Sequence, residues 1–254
     1  MENKFPSEII ELPSQGYFYP SDNTLSSGKI EIKYMTAKEE DILMSDNLLQ
    51  KGTAIDTLLK SLILTPIKYD DLLIGDKNAI LLASRILAYG KDYQATVTCQ
   101  HCREKSDTTI DLTTFDTKEI DLSLFKKGLR TFSLQLPVSK KTVEVKFTTH
   151  EDERAIEADV KAMKKIEAQT GVSAEMTTRF RHIIVSVDGD SKKETINNFV
   201  NGMLAQDSLH IRSFIKKNMP DVDMTYPFEC PACSKVSVTQ LPFNANFFWP
   251  SDRI

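Results

Sequence analysis

A chain of 254 residues, 41% hydrophobic and 27% charged, has the composition of an ordinary folded protein, with room for one large or two modest domains. A formal net charge of −4 argues against a general nucleic-acid binder, which carries a basic surplus. No apolar run approaches the ~20 residues that span a bilayer, and the first residues lack the basic and apolar regions of a secretory signal. Folding in a reducing cytoplasm without membrane insertion is expected.

Residues 1–35 read as an extended arm. Turn formers and aromatics alternate over 12–20, and a long helix is disfavoured there. Tyr17, Phe18 and Tyr19 either pack on the protein's own core or anchor the arm on a partner. Residues 29–34 alternate as a strand. Thr36 and Glu39 form a capping box that opens a helix reaching about Asn47. Thr53 can cap a second helix over 54–63, which Pro66 ends. A third begins near Asp76, runs to Ala88 and stops at Gly90. Apolar residues nearly encircle it, so it is expected to be buried. Arg85 on this helix needs a partner, and an acid such as Asp41 or Asp76 is expected in preference to a functional role.

Residues 93–98 and 108–113 read as strands flanking Cys99-Gln100-His101-Cys102. Beyond them, 131–136 and 142–147 form a hairpin about Pro137. From His150 to Gln169 the pattern is helical and heavily charged, with Ala155, Ile156, Val160, Met163 and Ile166 on one face. Gly171 ends it. Residues 174–180 continue as helix, 182–187 are open between helix and strand, and 188–190 make a turn. Ser191 can cap a helix through Asn201. Asp207 can cap another over 208–217, stopped by Pro220. Strands at 224–229 and 235–241 flank Cys230-Pro231-Ala232-Cys233. Near the end come Phe247, Phe248 and Trp249, which either dock on the chain's own ribbon or plug into a partner.

These are the chain's only four cysteines. A C-x-x-C turn converges two thiolates on one ion, and two such turns face to face supply the all-sulfur tetrahedron that structural zinc prefers. Cys99, Cys102, Cys230 and Cys233 are therefore the expected ligands of one structural Zn2+, clamping an excursion over residues 103–229. His101 lies inside its turn and is expected to be a bystander. Redox-active pairs would need a helix N-terminus, whereas each pair here sits between strands. Disulfides would need an oxidising compartment.

Other chemistry is missing from the sequence. The glycines are too dispersed for a phosphate loop, and neither G-x-S-x-G nor H-E-x-x-H occurs. His101, His150, His182 and His210 fall in unrelated contexts. Asp188 and Asp190 flank Gly189 in a turn. Nothing assembles a nucleophile, a base and an oxyanion site, so no catalytic residue and no enzymatic activity are expected.

Several stretches carry a resemblance: Leu12-Pro-Ser-Gln-Gly; 32–43; Gly75-Asp-Lys-Asn-Ala-Ile; Arg85-Ile-Leu-Ala-Tyr-Gly; Asp207-Ser-Leu; Met219-Pro220; Cys230-Pro-Ala-Cys; and Phe247-Phe-Trp-Pro. Together these resemble the baseplate hub and hub-assembly proteins of T4-like contractile-tailed phages, over residues 8–113 and 203–250. The resemblance implies a non-enzymatic protein that builds the hub by binding other baseplate or hub proteins. It would act in the host cytoplasm during assembly and, if retained, in the virion tail baseplate.

The expected fold is α+β, with an arm (1–35), a mainly helical domain carrying a split four-cysteine zinc ribbon (36–113 with 223–254), and an inserted α/β domain (114–222). Tyr17, Phe18, Tyr19, Phe247, Phe248 and Trp249 are the expected partner contacts, since desolvated aromatics dominate interface energies. No small-molecule substrate is expected. A zinc-ribbon nucleic-acid accessory is the alternative, its small basic face being Arg103, Lys105 and Lys235. A thiol oxidoreductase is the third reading.

Overall fold

The computed structural model describes residues 5–171, 173–242 and 247–248, with the side chains of 165–170 excepted. Residues 5–35 fold back on themselves and do not run as an extended arm. Strand β1 (Ser7–Glu11) pairs antiparallel with β2 (Lys29–Lys33), Ile10 opposite Ile30. The connection between them is a folded tip in which two glycines stand back to back. Gly16 and Gly28 both have positive φ, and a Cβ on Gly16 would lie 2.3 Å from the Ser26 carbonyl oxygen. Only glycine tolerates both the left-handed backbone and that approach. The tip is then pinned to the central helix: the buried Asp76 carboxylate accepts from the Ser14 amide at 2.9 Å and the Tyr19 hydroxyl at 2.6 Å.

Helix α1 (Ala37–Met44) starts on the expected capping box. Glu39 accepts from the Thr36 amide at 3.0 Å and from Lys33 Nζ at 2.7 Å. The chain breaks at Ser45, and α2 (Asp46–Lys51) follows as a separate short helix. Helix α3 (Ala54–Leu62) occupies its expected span, although Thr53 makes no side-chain cap. Helix α4 (Ile74–Tyr89) begins two residues before Asp76. Its Gly75 lies against the Pro220 carbonyl, where a Cβ would sit 1.7 Å from the oxygen. Arg85 does not pair with Asp41 or Asp76. Its guanidinium donates to the carbonyls of Gly90 at 3.0 Å and Asp92 at 3.2 Å, and lies over the ring of Tyr89. The carbonyls past the C-terminus of α4 are closer than any acid and lie at the negative end of the helix dipole.

Three further sheets follow. Strand β3 (Asp92–Thr98) pairs with β4 (Lys105–Asp111), and β8 (Thr225–Glu229) with β9 (Val236–Gln240). Between them, β5 (Thr131–Gln135), β6 (Thr142–Lys146) and β7 (Ile184–Val187) form an antiparallel sheet. The charged helix is α5 (His150–Thr170). The open segment resolves as α6 (Glu175–Ile183) running directly into β7. Helix α7 (Lys193–Asn201) is not capped by Ser191: its N-cap position is Lys192, without a side-chain cap, while the Asp190 carboxylate just before it accepts from the Lys192 amide and the Thr195 hydroxyl. Asp207 lies inside the first turn of α8 (Ala205–Asn218) and is no cap. It accepts from the amides of Val138 at 2.9 Å and Ser139 at 3.1 Å, so it fixes the β5–β6 turn.

Two hydrophobic cores lie on either side of α4. One gathers Leu12, Phe18 and Leu25 from the hairpin tip, Ile80 from α4, and Phe125, Phe132, Phe147 and Ile184 from the middle of the chain. The segments expected as arm and inserted domain thus share one core. The other joins Leu58, Leu62 and Leu82 to Tyr93, Ile110, Met224, Leu241, Phe247 and Phe248. The chain enters and leaves the middle segment along paired backbones, with Lys118 donating to the Asp221 carbonyl and Asp223 to that of Asp116.

Candidate metal centre

The position of each cysteine follows from strand alternation. Tyr93, Ala95 and Val97 point inward from β3, and Cys99 continues that face. Phe228 is buried on β8, and Cys230 is the next residue on its side. Val97, Cys99, Phe228 and Cys230 consequently form a small apolar cluster beneath the site. Cys102 is exposed and Cys233 half-buried, so the outer pair closes the site from the solvent side.

The two turns are built alike. Cys99 donates its amide to the Glu104 carbonyl, and Arg103 donates back to the Cys99 carbonyl; Cys230 does the same with Lys235 and Ser234. Each turn places a non-glycine residue in the left-handed region directly after its second cysteine, Arg103 at φ 67° and Ser234 at φ 55°. Sequence reasoning missed these two positions, and Phe228 beneath the sulfurs. Alternation could have found Phe228, but nothing local marks Arg103 or Ser234, where glycine is the usual choice.

The turns bring all four sulfurs within 4.8 Å of one another. Cys99 Sγ lies 3.8 Å from Cys233 Sγ, and Cys102 Sγ lies 3.6 Å from Cys230 Sγ. A disulfide needs about 2.05 Å, so these are free thiols. A tetrahedral ion with metal–sulfur bonds of about 2.3 Å has edges of about 3.8 Å. The four sulfurs therefore could hold one ion of zinc's size. The electrostatics agree. The amides of Cys102 and His101 point at Cys99 and hold its thiol down to about 6. At Cys102 the Glu104 amide pulls the thiol down, but desolvation and three neighbouring sulfurs override it and push it up to about 12. A thiolate at Cys102 is thus disfavoured among its neighbouring sulfurs, and a bound cation would favour it. His101 takes no place among the sulfurs; its amide donates to Cys99 Sγ at 3.4 Å.

The aromatic contacts expected from sequence are spread over the cores. Phe18 is 2% exposed and packs edge-to-face on Phe125 and Phe147. Tyr19 is buried, donating to Asp76 and accepting from the Leu73 amide. Tyr17 is half-buried, its hydroxyl on the Phe125 carbonyl at 3.1 Å. Phe247 and Phe248 are buried beside Tyr93. Trp249 lies outside the described residues. Direct contact between a partner and Phe18, Tyr19, Phe247 or Phe248 would require them to leave the core, so of the two readings their burial supports packing. The basic residues Arg103, Lys105 and Lys235 flank the cysteine turns at exposed positions. No helix of the described residues is long and apolar enough to cross a membrane.

No curated protein and no solved structure matches the chain. Residues 17–249 match a family described as T4 bacteriophage base plate protein. That span runs from the aromatic tip of the first hairpin through both cysteine turns and covers most of the chain, so this protein belongs to the T4 bacteriophage base plate protein family.

Proposed function

We propose that the protein is a structural or assembly component of the central hub of the tail baseplate, working by protein–protein recognition, with one structural Zn2+ held by Cys99, Cys102, Cys230 and Cys233. The observation that carries the non-catalytic part of this reading is the closed sulfur shell. Four ligands converge from two hairpins, so a bound ion keeps no open position for water or substrate. The zinc ribbon ties the entry and exit of the middle segment together and acts on shape alone. Family membership supports partners among other baseplate proteins. Assembly in the host cytoplasm followed by incorporation into the virion tail fits this role.

The test has two parts. Protein purified without added zinc is assayed for metal, with thiols titrated before and after chelation. About one zinc per chain, and four thiols that react only after chelation, is the expected result. No metal and four freely reactive thiols would sink the zinc reading. The hub reading is tested by following the chain through baseplate intermediates on a gradient. Absence from every intermediate, with assembly unaffected by deleting the protein, would overturn it.

A further inference from the structure

Away from the cysteines, helices α5, α6 and α7 enclose a groove of ≈ 460 Å3, within the roughly 300–1,000 Å3 of ligand pockets. Each helix contributes residues three or four apart, which share a face. Helix α6 supplies Thr178, Arg181 and His182, α7 supplies Asn197 and Asn201, and α5 supplies Asp159, Ala162 and Met163.

Two pairs of these polar groups bond each other, and several donors are left over. Thr178 is only 3% exposed, yet its hydroxyl has no hydrogen-bond partner among the described residues. A buried hydroxyl is costly to leave unpaired. Arg181 uses one nitrogen on Asn201 Oδ1 at 2.9 Å, which holds the guanidinium across the groove. The Asp159 carboxylate is engaged by His182 Nε2 at 2.8 Å, so the acid in the groove has its own partner. What remains is donor-rich: the other guanidinium N–H groups, the amide N–H groups of Asn197 and Asn201, and the Thr178 hydroxyl, beside an apolar wall of Ala162 and Met163. A guanidinium takes a carboxylate through two parallel hydrogen bonds. Side-chain amides one helical turn apart can donate to and accept from the backbone of an extended peptide.

We propose that this groove docks an acidic segment of another baseplate protein, with an Asp or Glu carboxylate on Arg181 and the peptide backbone along Asn197 and Asn201. The assignment rests on the baseplate reading and deepens it by naming the chemistry of the partner.

The experiment probes an array of overlapping 15-residue peptides, drawn from the other tail proteins of the same phage, with the intact chain. Bound peptides should contain Asp or Glu, and replacing that residue by Ala should weaken binding at least tenfold. Arg181→Gln and the exposed Asn197→Ala should each weaken the same peptides at least tenfold, while Lys217→Gln on α8 leaves them unchanged. Thermal melts identify any variant that fails to fold, and Asn197→Ala alone then decides. An array with no acidic peptide bound, or binding indifferent to the groove variants, overturns the proposal. Co-sedimentation of the wild-type chain with baseplate intermediates separates the two failures. If it co-sediments while the array is blank, only the groove assignment falls; if it does not, the baseplate reading falls as well.

Discussion

At single residues, the two cysteine turns hold strain that substitution can release. A non-glycine residue in the left-handed region costs about 1–2 kcal/mol, and Ser234 is there at φ 55° with no strand pairing of its own. Ser234→Gly should stabilise the metal-loaded protein by about 1 kcal/mol, seen as a rise of roughly 2–4 °C in Tm; a fall would mean the serine side chain contributes more than its backbone costs. Glu39 carries a pH dependence. Burial pushes its carboxyl up, but hydrogen bonds from Lys33 and Thr36 outweigh that and hold it at about 2. A depressed folded pKa contributes stability above the unfolded value of about 4.3, which is lost as pH falls toward 2. Asp76 has the opposite sign: burial raises its pKa despite hydrogen bonds from Tyr19 and Ser14, so its contribution falls as pH rises through that value. Glu39→Gln should therefore be less stable than wild type at pH 7, with the gap closing toward pH 2 in acid-unfolding curves. The capping box is legible in the sequence because its partners sit three residues apart. The Asp76–Tyr19 contact is not, since 57 positions separate them.

At the scale of elements, period and punctuation locate most helices and strands but misplace what starts them. Ser191 and Asp207 both fit the pattern of a cap because a cap is a local signal. In the structure α7 starts at Lys192 without a side-chain cap, and the Asp207 carboxylate reaches across to amides 69 and 68 positions away. Hydrogen bonds to a charged group contribute about 1.5–3 kcal/mol each. Asp207→Ala should thus cost about 3–6 kcal/mol in denaturant unfolding, and hydrogen exchange should speed up at Val138 and Ser139 while the far end of α8 stays protected. Residues 5–35 differ from an arm for a related reason. Their five-residue opening strand has mostly exposed, weakly alternating residues and is defined only by pairing with β2. Helix α4 presents a contact that no periodicity shows. The Pro220 carbonyl occupies the space a Cβ would need at Gly75. Gly75→Ala should cost at least ~1–3 kcal/mol through overpacking, despite alanine's better helix propensity. An unchanged denaturation midpoint would show that the segment 219–221 after α8 can retreat.

For the whole molecule, the sequence names four ligands but does not show that they meet, because C-x-x-C spacing fixes a turn and leaves the distance between turns free. It also separates an arm and an insert that the folded chain places around one core, since which apolar face meets which is a long-range choice. The second core is different: it contains residues from β3, β4 and both sides of the β8–β9 hairpin, and the cysteine cluster closes its outer end. Chelating metal-loaded protein should accordingly loosen that half alone. Amide protection is expected to drop in β3, β4, β8 and β9 and to persist in β5–β7; a uniform loss would mean the cores unfold as one unit. Cys230→Ser, which removes an inner cysteine of the proposed site, should reproduce the chelated pattern at any zinc concentration.

The spacing of the ligands along the chain has a consequence for biosynthesis. Cys102 and Cys230 stand 128 positions apart, and a nascent or prematurely terminated chain that stops before Cys230 owns only two cysteines, which cannot complete a four-coordinate thiolate shell. Closure of the proposed site around an ion would thus certify that everything up to the second cysteine turn has been made and that two distant hairpins have found each other. A particle that recruits only the closed form would exclude fragments without any separate proofreading factor.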